Sequence, residues 1–160
     1  MTMQIMRATV DWFIDNGGPS LAMAHLEEAM PVTAEKNEFR EVDYAMYAEL
    51  EMSGSLLVLV AIDDENNNEF VGYVVGTASP SIHNRGYFEF STTAFYTVPH
   101  VREQGVARQL FEALQAVCRQ SGVTEINYSV SEGQPMTHEV VKKLGLIKSE
   151  TMYSMKVKHE

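Results

Sequence analysis

Residues 95 to 121 read FYTVPHVREQGVARQLFEALQAVCRQS, and three patterns succeed one another there without a gap. The apolar run Phe95 to Val98 stops at Pro99, a turn centred on Gly105 follows, and a helical pattern begins at once. Val106, Leu110, Phe111, Leu114, Val117 and Cys118 recur at three- and four-residue steps, while Arg108, Gln109, Glu112, Gln115 and Arg119 take the opposite face. The spacing predicts a strand, a tight turn and an amphipathic helix whose apolar face packs on a sheet. The first turn of such a helix carries N–H groups with no intrahelical partner, and a small-residue turn lets a ligand come close to the backbone. A phosphate or pyrophosphate suits that position. A lone glycine is not the Gly-x-Gly-x-x-Gly dinucleotide fingerprint, and no Gly-Lys-Ser/Thr follows as in a Walker loop.

On the C-terminal side, Gly122 ends the helix and Glu125 to Val130 reads as a strand. Strand, helix and strand in that order imply a parallel pair joined by a right-handed crossover. Ser131 to Pro135 is a loop, Met136 to Leu144 a helix closed by Gly145, and Leu146 to Val157 is expected to supply a last strand that includes Tyr153. On the N-terminal side, Phe70 to Ala78 and Tyr87 to Val98 read as an antiparallel hairpin, with Gly72 and Gly76 as bulges or points of close approach. Ser55 to Ile62 is a continuous apolar run, hence a strand buried on both faces. The polar connector Asp63 to Glu69 lacks the glycine and glutamate spacing of an EF-hand loop.

At the front of the chain, Gln4 to Val10 alternates like a half-buried strand and runs into the breaker cluster Asn16-Gly-Gly-Pro19. A helix is expected from Ser20 to near Pro31 and another from Phe39 to Met52, with Gly54 as its end signal. Tyr44 and Tyr47 fall at helical spacing, where an aromatic stripe serves as core or as the lining of a pocket.

The chain has 160 residues, which suits one domain over residues 1–160. Hydrophobic residues make up 45%, and no apolar run reaches membrane length, so a cytoplasmic protein with no membrane partner is expected. Cys118 is the sole cysteine, which excludes an internal disulfide and a cysteine-based zinc site; its place on the apolar helix face reads as core. No histidine spacing makes a metal site, and His25, His83, His100 and His159 read as surface or turn residues. The formal charge of −10 is uneven: residues 1–100 hold 15 acids against 4 bases, and residues 101–160 hold 7 against 8. Such a surface repels nucleic acid polymers and anionic membranes, and attracts cations.

The wording Arg102-x-x-Gly105-x-Ala107, after a strand that ends in a proline turn, resembles the acyl-CoA-binding motif of the GCN5-related N-acetyltransferase (GNAT) superfamily, Gln/Arg-x-x-Gly-x-Gly/Ala. The order of elements resembles that superfamily over nearly the whole chain. The resemblance implies an α+β fold in α/β/α layers, a mixed and mostly antiparallel sheet of about six or seven strands flanked by about four helices. A second family pattern, Asn-x-x-Ala-x-x-Leu-Tyr-x-x-x-Gly-Phe, aligns on Leu144-Gly145-Leu146 and puts Gln134, Thr137 and Val140 where Asn, Ala and Leu are usual. Val141 then stands where the family tyrosine belongs, which is the main departure.

The resemblance implies acetyl-CoA, or another acyl-CoA, as donor and direct transfer to an amine, with no metal. Phe95, Tyr96 and Thr97 would bond the pantetheine arm through their main chain, as an added strand does. The backbone of Glu103, Gln104, Gly105, Val106, Ala107 and Arg108 would hold the pyrophosphate, with Arg102 adding charge and Gln134 at the second motif. Chemistry of this kind needs a proton removed from the amine, a polarised thioester carbonyl and a proton for the departing thiolate. Glu89, an even number of residues before Phe95, is the candidate base. With Val141 unable to act as an acid, His138 and Tyr153 are the candidate donors, or Ser129 and Ser131 orient a water.

Two functions follow. One is N-acetylation of a cationic amine: a polyamine, an aminoglycoside-like molecule, or a lysine or N-terminus of a protein. The alternative is a catalytically weak or inactive GNAT-fold module that binds acyl-CoA or a protein. A homodimer is compatible with either.

Overall fold

The computed structural model describes residues 3–29, 41–130 and 138–153, together with 155 and 157. Strand β2 (Leu56–Asp63) is buried along its whole length, as a continuous apolar run is when both faces of its sheet are covered. Its alternate residues enter two separate cores: Leu57, Leu59 and Ala61 one, and Leu56, Val58, Val60 and Ile62 the other. On either side lie β1 (Gln4–Arg7) and β3 (Glu69–Pro80), followed by β4 (Phe88–Thr97) and β5 (Glu125–Tyr128), in the spatial order β1-β2-β3-β4-β5. Neighbours pair antiparallel except β4 and β5, which are parallel.

One face of the sheet is covered by α1 (Val10–Asp15), α2 (Gly18–Ala29) and α3 (Tyr44–Met52). The other is covered by α4 (Val106–Gln120), which makes the crossover from β4 to β5 and buries Val106, Leu110, Phe111, Leu114 and Cys118. Val140 and Val141 of α5 (His138–Lys143) pack on the same side. These are the expected α/β/α layers, the parallel crossover and the hairpin. No described helix is long and apolar enough to cross a membrane.

The sequence expectation and the structure differ at the ends. The first strand stops at Arg7, not Val10, because the Thr9 hydroxyl accepts from the Trp12 N–H at 3.1 Å and caps a helix at Val10. The Glu51 carboxylate accepts from the Val10 N–H at 2.8 Å and ties that helix to α3. The next helix begins at Gly18 rather than Ser20, and α3 is capped by Asp43, whose carboxylate accepts from the Met46 N–H at 2.9 Å. Among the described residues the sheet has five strands, fewer than expected, and those after Gly145 form none. Ile147, Met152 and Tyr153 are exposed there. A local sequence alone does not make a strand; a paired neighbour must supply the hydrogen bonds.

One irregularity positions the site. Val75 pairs with Ala94 and Gly76 with Thr92, so Thr93 is an extra residue in β4, and its hydroxyl closes the bulge by donating to the Val75 carbonyl at 3.0 Å. Phe90 and Phe95, five residues apart, therefore share the α4 face. Gly76 is required beside the bulge, since a Cβ there would collide with the Phe90 ring and the Ser91 carbonyl.

Candidate functional site

Parallel pairing of β4 with β5 runs from Glu89–Glu125 to Thr92–Tyr128 and no further. Beyond that rung the two strands part, and Thr93 to Thr97 of β4 hydrogen-bond only toward β3 among the described strands. Phe95, Tyr96 and Thr97, the expected pantetheine strand, thus border an open fork. All three residues are buried, Phe95 toward α4 and Tyr96 toward α2, and on the fork side their main chain has no strand partner among the described residues. Thr92 sits at the fork with its hydroxyl oxygen buried and without a hydrogen-bond partner.

The 3₁₀ turn Pro99–Gln104 leads from the fork to α4. Gly105 joins them in the left-handed conformation, φ +77°, and a Cβ built on it meets nothing within 4 Å. No side chain caps α4. The N–H groups of its first turn have no intrahelical partner. Val106 is fully buried and Ala107 half-buried, while Glu103, Gln104 and Gly105 are exposed.

The two arginines are placed differently. Arg108 pairs along the helix with Glu112 at 3.0 Å, both exposed. Arg102 turns back from the helix start: its Nε–H donates to the Thr97 carbonyl at 3.0 Å, and Nη2 donates to both Glu28 oxygens at 2.9 and 2.8 Å. The Tyr96 hydroxyl donates to the same carboxylate at 2.9 Å, and the guanidinium lies 5.5 Å from the centre of the Tyr96 ring. Arg102 thereby ties the turn to α2 and β4, and its charge is met by Glu28.

Next to this network is a cavity of about 180 Å³ between the helices α1 to α3 and the faces of β2, β3 and β4. Thr93 and Ala94 of the bulge form part of its wall, so it adjoins the fork. His25 and Tyr73 line it too, with His25 Nδ1 3.0 Å from the Tyr73 hydroxyl and the imidazole stacked on Tyr96 at 5.0 Å. Burial lowers the His25 pKa; the Glu28 carboxylate raises it by less, and Arg102 lowers it further. Burial also holds the Tyr73 phenol far above its ordinary range. The imidazole is therefore neutral at neutral pH and Tyr73 fully protonated.

On the other side of the sheet, Tyr128 packs against the cluster that contains Phe95 and Val141, its ring edge-on to Phe95 at 6.2 Å. Burial pushes its pKa up to about 12. It is a protonated phenol at the fork, on the side where Val141 offers none.

The structure thus brings together Phe95 to Thr97, the Gly105 turn and the head of α4. Glu89, His138 and Tyr153 do not line the cavity. Glu89 is half-buried in β4 and, beside Phe90, faces away from Phe95, because the extra Thr93 inverts the parity counted along the sequence. His138 is exposed at the start of α5, and Tyr153 is 91% exposed. Ser129 follows the end of β5 at Tyr128, whereas Gln134, Ser131 and Thr137 lie outside the described residues. His25, Glu28, Tyr73 and Tyr128 were not singled out by sequence reasoning. His25 is not a surface residue as expected; its signal was its place between Ala22, Leu26 and Ala29 on the apolar side of α2.

A model of the acetyltransferase (GNAT) family matches residues 6–146. No curated protein sequence matches the chain. Solved structures match along its whole length. An aminoglycoside acetyltransferase from an uncultured soil metagenomic sample is 17% identical with a TM-score of 0.73, over 99% of this chain and 100% of that one. The glucosamine-6-phosphate N-acetyltransferase of Arabidopsis thaliana is 10% identical with a TM-score of 0.71, over 99% and 100%. An acetyltransferase designated AAC(6′)-Iy, in complex with the bisubstrate analog CoA-S-monomethyl-acetylneamine, is 18% identical with a TM-score of 0.67, over 99% of both chains. At these identities the likeness is one of fold.

Proposed function

Because the chain belongs to the acetyltransferase (GNAT) family and is an acyltransferase, we propose that it transfers the acetyl group of acetyl-CoA to the primary amine of a small molecule in the cytoplasm. The observation that carries this reading is the open main-chain edge of β4 beyond the Thr92–Tyr128 rung, continuous with the uncapped start of α4. The edge of Phe95 to Thr97 takes the pantetheine arm, and the N–H groups from Glu103 to Arg108 take the pyrophosphate. Arg102 positions the turn and does not itself neutralise phosphate.

In the transfer the amine nitrogen attacks the thioester carbon, a C–N bond forms, and the C–S bond breaks. The acceptor, arriving as an ammonium, loses one proton to the Tyr73 oxygen as the Tyr73 proton passes to His25 Nδ1, and Glu28 favours the imidazolium that results. Once the C–N bond has formed, the nitrogen releases its second proton to solvent, from which Tyr128 is later reprotonated. Main-chain N–H groups at the fork polarise the carbonyl. Tyr128 donates a proton to the departing thiolate, the part that Val141 cannot take.

The cofactor half of this reading is tested at Gly105. Gly105→Asp keeps a residue tolerated at positive φ and places a carboxylate where the helix dipole favours it, so the fold is retained while an anion is repelled. Calorimetry with acetyl-CoA is expected to show wild-type binding, at least about 10-fold weaker binding for Gly105→Asp, and a smaller loss for Gly105→Asn. Equal affinity in all three proteins would remove the pyrophosphate from this turn.

A further inference from the structure

The cavity beside the fork has a chemistry of its own. It holds about 180 Å³, and among its described lining residues none is Asp, Glu, Lys or Arg. Its polar groups are His25, Thr93 and the tyrosine hydroxyls. Phe13 and Tyr73 form the buried floor and meet edge-to-face at 5.3 Å. Tyr44 and Tyr47, both half-exposed, stand toward solvent with ring centres 6.3 Å apart.

Size and polarity each narrow the occupant. A cavity of about 150 Å³ lined by apolar side chains accepts benzene, so this one takes a single ring or a short alkyl chain with a short linker. An aminoglycoside or a polyamine would bring several ammonium groups against described lining residues that carry no carboxylate, and a sugar phosphate would bring an anion against described lining residues that carry no Lys or Arg. A compact apolar body with one amine leaves no charge unpaired, and tyrosine faces attract its ammonium form on the way in.

Resting on the acetyl-transfer reading above, we infer that the acceptor is a monoamine with a compact aromatic or aliphatic body, seated among Phe13, Tyr44, Tyr47 and Tyr73 with its nitrogen at the bulge beside His25. Thr93 and Ala94 of the bulge form the part of the wall next to the fork, so a short linker carries the nitrogen from the body toward the fork. The aromatic stripe at Tyr44 and Tyr47 is then pocket lining, one of the two uses its spacing allowed.

The test is CoA release by wild-type protein with acetyl-CoA and five separate amines: 2-phenylethylamine, hexylamine, spermidine, kanamycin and glucosamine 6-phosphate. Expected is a kcat/KM for 2-phenylethylamine or hexylamine at least about 10-fold above the other three. Turnover confined to spermidine, kanamycin or glucosamine 6-phosphate overturns the inference and leaves acetyl transfer standing. Turnover with none of the five also overturns it, and acetyl-CoA calorimetry then shows whether the acetyl-transfer reading has failed as well. Tyr47→Ala is expected to raise the KM for 2-phenylethylamine about 10-fold with acetyl-CoA affinity unchanged, and Tyr47→Phe to restore it. Ala22→Leu, which fills the cavity from α2, is expected to discriminate against 2-phenylethylamine more than against hexylamine. If both variants bind acetyl-CoA and neither changes the KM of either amine, the cavity is not the acceptor site.

Discussion

Three influences meet at the His25 imidazole, and burial is the largest. Its lowered pKa has consequences of definite sign for stability and for rate. The unfolded chain binds a proton at His25 near the ordinary value of about 6.5, whereas the folded chain binds it only at lower pH, so folding stability falls as pH drops below that value. For catalysis, kcat is expected to hold as pH falls through the ordinary histidine range and to drop only below it. His25→Gln should lower kcat about 100-fold and remove that acid limb, while Tyr128→Phe lowers kcat about 10-fold and leaves the limb in place. A pH–rate profile of His25→Gln that keeps the wild-type acid limb would assign the base elsewhere. By sequence His25 reads as a surface residue, although its apolar neighbours Ala22, Leu26 and Ala29 on α2 carry the signal of its burial. Its network was not legible, because Glu28 and Arg102 are 74 positions apart and nothing local to either announces the other.

At the scale of elements, the bulge in β4 decides which residues can cooperate. Counting by twos along an ideal strand puts Glu89 on the face of Phe95, and one extra residue at Thr93 reverses this. Gly76 was legible as a point of close approach, yet the sequence does not say which residue of the partner strand is doubled. The helix start at Gly105 was legible because its turn, its strand and its helix are contiguous. The expected last strand, Leu146 to Val157, had no pairing partner that its own residues could name. Gly76→Ala tests the bulge: its methyl must displace the Phe90 ring or the Ser91 carbonyl, at an expected cost of about 1–3 kcal/mol in urea unfolding. A protein of unchanged stability would show that β4 shifts freely at this point, and the parity argument for Glu89 would lose its support.

Over the whole molecule, the layered order followed from the succession of apolar periods, because each pattern must bury its face against a neighbour. The cavity did not, since its wall draws on six elements whose approach is set by tertiary packing. Charge is the molecular property that the sequence gives directly, and it acts at a distance. Residues 1–100, with 15 acids against 4 bases, supply the helices around the cavity, so the field there favours an approaching cation although none of the described lining residues is Asp, Glu, Lys or Arg. A monoamine of ordinary basicity, with a pKa near the lysine value of about 10, arrives as that cation at neutral pH. The Debye length shrinks from about 30 Å at 0.01 M salt to about 8 Å at 0.15 M, which removes steering from all but the nearest carboxylates. At saturating acetyl-CoA, kcat/KM for 2-phenylethylamine is therefore expected to fall roughly 3- to 10-fold across that range, with kcat unchanged, since steering acts on encounter and not on the bound complex. A kcat/KM that ignores salt would mean that the acidity of the front half serves solubility alone, and that the acceptor is drawn in by the apolar wall without help from the field.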